Sequence, residues 1–426
     1  MLNVFRRFKG GSARIYWFAA SRILPTLSAQ AVADNQPANK NRMTPELSTF
    51  AARLRERLQH EPPRAGFDEE DFNTTALELF AFQFKSNLAY RKICEARRVT
   101  PLAVTHWSQI PAVPTAAFKE LELTCLSPTE RTHVFHSSGT TEQRPSRHFH
   151  SEESLAVYEA SLWTWFVRNL RLALGDLRLL SLTPSPVEAP HSSLVHMFEV
   201  VRGGMGGDED AFVGRVSNDG SWALDYESAV DRLTGDSRPE TPDPRPILVL
   251  GTAFSFVHLL DGLMERNLRL QLPVGSRVME TGGYKGRSRE MPKAELHALI
   301  TERLGVPAAQ IVCEYGMSEL SSQAYQRVTG DEGQVTGDMR AKSCHLSPAT
   351  CHFKFPPWAR VQVVSPETGR EVADGETGLI RVFDLANVFS VMAIQTEDLA
   401  VRRGDGFELV GRSKLAEPRG CSLMAV

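Results

Sequence analysis

Apolar residues recur at helical spacing soon after residue 43, at Leu47, Phe50, Leu54 and Leu58, and this periodicity marks the start of a folded domain. Amphipathic helices are predicted over 77–98 and 154–172, the second with Trp163, Trp165 and Phe166 on its apolar side. Short apolar runs follow turns at 177–182, 247–250, 277–279 and 310–313, and a further helix is predicted from Lys293 to Leu304. Such runs read as buried strands, and their alternation with helices predicts an α/β layered fold with a largely parallel sheet. Residues 232–246 read as a loop, because four prolines there cannot donate to a strand ladder. From residue 358 the pattern changes to alternating strands at 360–364, 378–383 and 407–410, with turns such as Gly404-Asp405-Gly406. A small antiparallel barrel or sheet is expected there.

Composition narrows the class. A chain of 426 residues with 42% apolar and 23% charged residues can bury a sizeable core in roughly two or three subdomains. A formal net charge of −3 without clustered Lys and Arg leaves no footprint for nucleic acid. The six cysteines, Cys94, Cys125, Cys313, Cys344, Cys351 and Cys421, are sparse and unevenly spaced, which fits a reducing, cytoplasmic setting better than a disulfide framework. No stretch approaches the apolar run of about 20 residues that spans a bilayer. Residues 1–42 differ from the rest: no acidic residue precedes Asp34, and the apolar patch 15–20 is broken by Ser21 and Arg22, against a secretory signal. An extension outside the core is the expectation, with a weak signal or a basic surface-binding arm as alternatives.

The chemistry concentrates in loops. His136-Ser-Ser-Gly-Thr-Thr141 follows the apolar pair Val134-Phe135, and its glycine and hydroxyls suit close approach to a phosphate, although such a loop can equally be a plain turn. Glu280-Thr-Gly-Gly-Tyr-Lys-Gly286 follows a strand and is either a ligand loop or a tight crossover. Glu314-Tyr-Gly-Met-Ser-Glu319 puts an aromatic ring, a hydroxyl and a carboxylate at a strand end, where open α/β sheets bind ligands. Cys344-His345 and Cys351-His352 offer four metal donors within nine residues, but at spacings unlike those of zinc sites, so a zinc site and a bland loop both stay open. His191 and His196 are spaced wrongly for a ligand pair on one helix face. The absence of G-x-S-x-G argues against a serine hydrolase of the usual α/β type.

Taken in order, S-S-G-T-T, E-T-G-G-Y-K-G-R-S, Y-G-M-S-E-L-S-S-Q-A-Y, Q-T-E-D-L-A and R-G-C-S-L over residues 80–426 resemble the adenylate-forming ligases, and within them the LuxE-type acyl-protein synthetases of bacterial luminescence operons. The resemblance implies layered α/β subdomains like that superfamily's N-terminal domain, followed by a small β subdomain, with the mobile C-terminal domain largely absent. The implied division is an extension at 1–42, an α/β nucleotide- and acyl-binding region at 43–357, a β subdomain at 358–412 and a tail at 413–426. It assigns Ser137, Ser138, Gly139, Thr140 and Thr141 to the phosphates of ATP, and Glu319 to magnesium with Ser318 nearby. It places Tyr315, Gly316, Gly282, Gly283 and Tyr284 by the adenine, and Asp398 and Arg412 at the ribose, with Lys414 at the hinge.

The phosphate loop departs from the superfamily's T-G-x-P-K and reads T-E-Q-R-P-S-R, so that Arg144 or Arg147 is expected to supply the cation. The implied reaction is ATP-dependent activation of a carboxylic, by resemblance fatty, acid as an acyl-adenylate, followed by transfer to Cys421. Arg419 beside this cysteine favours its thiolate. An acyl-accepting partner such as a fatty-acid reductase would follow. Residues 251–256 are candidates for the acyl pocket wall or, equally, ordinary core. An acyl- or aryl-CoA ligase using free coenzyme A and a non-catalytic binding subunit are the alternatives.

Overall fold

The computed structural model describes residues 45–59, 67–137, 144–171, 177–235, 245–282, 291–327 and 352–412. Its helices are α1 (Pro45–Gln59), α2 (Glu69–Ser86), α3 (Leu88–Ala96), the single turn α4 (Ala117–Glu120), α5 (Glu152–Leu170), α6 (Ser193–Met205), α7 (Tyr226–Thr234), α8 (Ala253–Glu265) and α9 (Lys293–Leu304). The first strands are β1 (Val113–Pro114), β2 (His133–His136), β3 (Arg147–His150), β4 (Arg178–Ser181), β5 (Gly214–Val216), β6 (Trp222–Leu224) and β7 (Ile247–Thr252). They are followed by β8 (Arg277–Thr281), β9 (Ile311–Tyr315), β10 (Ala324–Arg327), β11 (His352–Lys354), β12 (Ala359–Val364), β13 (Thr377–Asp384), β14 (Ala393–Arg403) and β15 (Gly406–Arg412).

The helical spacing at the start of the domain has a direct outcome. Leu47, Phe50, Leu54 and Leu58 form the buried stripe of α1, which packs on α5. The apolar runs become β4, β7, β8 and β9, which pair in parallel. Both faces of these strands are covered. Leu248, Leu250 and Met279 enter one core, while Ile247, Val249 and Val278 enter the other. Burial on two faces is why these strands read as continuous rather than alternating apolar runs.

Two expectations need correction. The helix expected over 77–98 is two helices, because Asn87 leaves helical geometry (φ −97°, ψ 96°) and caps the second, its side chain accepting from Tyr90 N at 3.0 Å. A short polar side chain that bonds its own backbone offers the chain an alternative to the next turn. The first of the pair also begins earlier, where Asp68 accepts from Asp71 N at 2.9 Å. The loop expected at 232–246 starts later, since α7 runs to Thr234 and closes on Gly235 in a left-handed conformation.

The strands after residue 358 extend the same sheet. Among the described residues it has eleven strands, in the order β12-β13-β14-β15-β11-β10-β9-β8-β7-β4, with β1 beside β14. It is parallel from β4 to β9 and antiparallel from there to β12. No described helix is long and apolar enough to cross a membrane.

Candidate active site

The carboxyl ends of β7, β8 and β9 open into a cavity of about 510 Å³, reached by Thr252, Thr281, Glu314 and Tyr315. Parallel sheets with covered faces present their strand ends as the accessible surface, and ligands settle there. After β9 the chain turns sharply into the cavity wall. A Cβ on Gly316 would lie 2.4 Å from Glu314 Oε1, so a larger residue there would have to displace that carboxylate.

Behind the wall a buried polar network fixes the segment. Ser321 N and Ser322 Oγ donate to Asp384 at 2.9 and 2.7 Å, and Asn387 Nδ2 donates to the Glu319 carbonyl at 2.8 Å. Gln83 Nε2 in turn donates to the Asn387 carbonyl at 2.7 Å. Burial pushes Asp384 up to about 6 despite the hydrogen bonds it accepts. With its backbone held, Glu319 turns its carboxylate to the cavity, where Ser318 Oγ donates to it at 3.0 Å. His148, which burial lowers to about 4, bonds the Ser318 carbonyl through Nδ1 at 2.8 Å.

Register builds the opposite wall. Asp398 of β14 stands across from Arg412 of β15, whose Nε donates to it at 3.0 Å. Tyr315 OH donates to the other carboxylate oxygen at 2.9 Å, and Arg412 also meets Glu397 at 3.2 Å. An ionised carboxylate has about four acceptor sites, so Asp398 keeps capacity for hydroxyl donors. Gly282, at φ +75°, ends β8 on the same cavity. Ser137 reaches it from the β2–β3 hairpin, whose stem is closed by Ser146 N donating to Ser137 Oγ at 3.0 Å.

The cavity therefore brings together Ser137, Gly282, Tyr315, Gly316, Ser318, Glu319, Asp398 and Arg412. Arg144 and Arg147 do not line it. Arg144 is exposed, and Arg147 pairs with Glu122 at 3.6 Å. Ser138, Gly139, Thr140, Thr141, Gly283, Tyr284, Lys414 and Cys421 lie outside the described residues, as do Cys344, His345 and Cys351. Of residues 251–256 only Thr252 lines the cavity, while Phe254 and Phe256 are core. Tyr158, Leu194 and Met197 supply an apolar side instead, from α5 and α6. Their helical spacing gave them the look of ordinary core, so sequence reasoning passed over them. It also passed over Lys293 and Glu314, which line the same space. Glu314 accepts from Thr281 Oγ1, and burial raises it to about 7.

The cavity thus offers carboxylate acceptors on one wall, hydroxyl donors on the turn and an apolar side. No protein-family model matches the chain. It is 24% identical over 364 residues to the long-chain-fatty-acid–luciferin-component ligase of Aliivibrio fischeri, a match covering 81% of this chain and 85% of that one. In structure it is similar to 2-hydroxyisobutyryl-CoA ligase in its postadenylation state with 2-HIB-AMP, at 13% identity and a TM-score of 0.60 over 89% of this chain and 72% of the other. The open form of that ligase with 2-HIB-AMP and CoA gives a TM-score of 0.58, again at 13% identity, over 89% and 79%. The chain thus shares the fold of 2-hydroxyisobutyryl-CoA ligase and, in sequence and in the order of its motifs, resembles the acyl-protein synthetases.

Proposed function

We propose that the cavity activates a carboxylic acid of fatty type with ATP, and that the acyl group then passes to Cys421 and onward to a partner protein such as a fatty-acid reductase. The observation that carries this reading is the convergence of Glu319, Tyr315 and the Asp398–Arg412 pair on one cavity with an apolar side. In this reading Asp398 and Arg412 take the ribose, Tyr315, Gly316 and Gly282 flank the adenine, and Ser137 and Ser318 reach the phosphates. Residues Ser138, Gly139, Thr140 and Thr141 continue the phosphate loop, and Gly283 and Tyr284 the adenine side. Arg144 and Arg147 would supply phosphate cations only on a rearrangement of that hairpin.

The donor set fits magnesium: Glu319 brings a hard carboxylate oxygen, 1% exposed, with a hydroxyl beside it. Bound there, the ion would neutralise charge on the phosphates. The substrate carboxylate attacks the α-phosphorus, the bond to pyrophosphate breaks, and an acyl-adenylate forms. Tyr158, Leu194 and Met197 hold the acyl group away from water. The Cys421 thiolate then attacks the acyl carbonyl and AMP leaves. Residues 43–357 would hold the nucleotide and acyl group, 358–412 would form the β subdomain, and 413–426 would carry the accepting thiol.

Carboxylate-dependent exchange between ATP and pyrophosphate tests the first half-reaction. Glu319→Ala should lower it by about 10²-fold or more while leaving the circular dichroism spectrum unchanged. Normal exchange in this variant would remove Glu319 from the chemistry. Cys421→Ser tests the second half: exchange should persist, and the hydroxylamine-labile acyl adduct seen by intact mass should disappear. An adduct that survives, or acyl transfer only to added coenzyme A, would favour the free-ligase reading.

A further inference from the structure

A second cluster of reactive groups lies on the other face of β8 and β9. Glu280 is paired with Cys313 in the parallel register, one position before the Thr281–Glu314 pair. Side chains alternate along a strand, so Glu280 and Cys313 point away from Glu314 and towards α9. There His297 covers them. Glu280 Oε1 accepts from Cys313 Sγ at 2.8 Å and lies 3.4 Å from His297 Nε2, and Cys313 Sγ is 3.6 Å from the same nitrogen. Glu280 is 2% exposed and Cys313 1%, and the three donor atoms all fall within 4.8 Å of one another. None of these three residues lines the cavity.

A carboxylate oxygen, an imidazole nitrogen and a thiol sulfur form a mixed donor set of the kind zinc accepts. With bond lengths of about 2.0–2.3 Å, tetrahedral geometry separates neighbouring donors by about 3.3–3.6 Å. The two contacts of His297 already match. The sulfur–oxygen contact is shorter because a thiol proton sits in it, and it would open once that proton leaves.

Lys293 is the competitor. Its Nζ lies 3.4 Å from Glu280 Oε1, so the ammonium neutralises the buried carboxylate when no ion is bound. Yet Lys293 is the first residue of α9, and its side chain is 44% exposed and lines the cavity. It can withdraw into that space. The charges then balance: carboxylate and ammonium before, a divalent ion with carboxylate and thiolate after, with the thiol proton released to solvent.

We propose that Glu280, His297 and Cys313 bind a divalent ion of zinc type in place of the Lys293 ammonium, with water as the fourth ligand, tying β8, β9 and α9 together behind the cavity. This is independent of the proposed reaction. The test uses the full chain, stripped with chelator and titrated with zinc or cobalt(II) chloride alone. One equivalent of zinc should bind and raise the melting temperature, and cobalt(II) should give a thiolate charge-transfer band. Cys313→Ser should lose the band, and His297→Gln should weaken binding if the serine variant fails to fold. Lys293→Met should bind zinc more tightly than the wild type, because the competing cation is gone. The proposal is overturned if neither the wild type nor Lys293→Met binds an equivalent of ion. A cobalt band that survives in Cys313→Ser would likewise place the ion elsewhere.

Discussion

Glu314 shows how a single carboxyl can couple the cavity to solution pH. Burial raises it to about 7 from an ordinary 4.5, so between these values the folded chain holds a proton that the unfolded chain has released. Its contribution to stability is therefore complete below about pH 4.5 and is lost as pH rises through about 7. Glu314→Gln keeps an acceptor for Thr281 and removes the titration. The variant should gain on the order of 1–3 kcal/mol relative to wild type between pH 5 and pH 8, read from urea midpoints. Equal slopes in the two proteins would show that the carboxyl is not held protonated. His148 acts with the opposite sign: burial lowers it to about 4, so its contribution is present above about 6.5 and lost as pH falls towards 4. Neither group was legible in the sequence as a titrating residue. The motif around Tyr315 and Glu319 was legible, because its strand-end placement follows from the run before it. The burial of Glu314 depends on Thr281, Gly316 and residues far away in the chain, and so it has no local signature.

At the scale of elements, the parallel strands were readable because both faces are apolar, and α9 because its period is regular. The break at Asn87 was not, since buried Leu79, Phe80, Tyr90 and Cys94 continue an apolar pattern across it. The side chain of Asn87 does two jobs there, accepting from Tyr90 N and donating to the Ser390 carbonyl at 3.2 Å. Asn87→Ala removes the cap and leaves the buried Ser390 carbonyl without that donor. A loss of about 1–3 kcal/mol is expected, seen as a lower denaturant midpoint with an unchanged slope. A loss below about 0.5 kcal/mol would mean that water replaces both bonds.

Across the whole molecule, the change of texture at residue 358 was legible, but the way the two textures join was not. Besides β1 beside β14, the join is the register pair of Phe353 in β11 opposite Phe407 in β15, with their rings stacked at 5.5 Å between centroids. Pairing between residues so far apart leaves no periodic trace in sequence. One core nevertheless runs through both parts, from Leu47 to Phe407. The strands after 358 should therefore unfold together with the rest. The near-ultraviolet signal of the aromatic core, which includes the fully buried Trp358, and the far-ultraviolet signal should give coincident thermal transitions. An early transition confined to one probe would show that 358–412 is an independent unit. The pairing of β14 with β15 also sets a timetable for synthesis. A ribosome extends the chain from the amino end, and the cavity wall needs Arg412 opposite Asp398. Nascent chains that stop short of Arg412 can thus form the parallel strands while lacking that wall, so the completed cavity would arrive last, after most of the fold is committed.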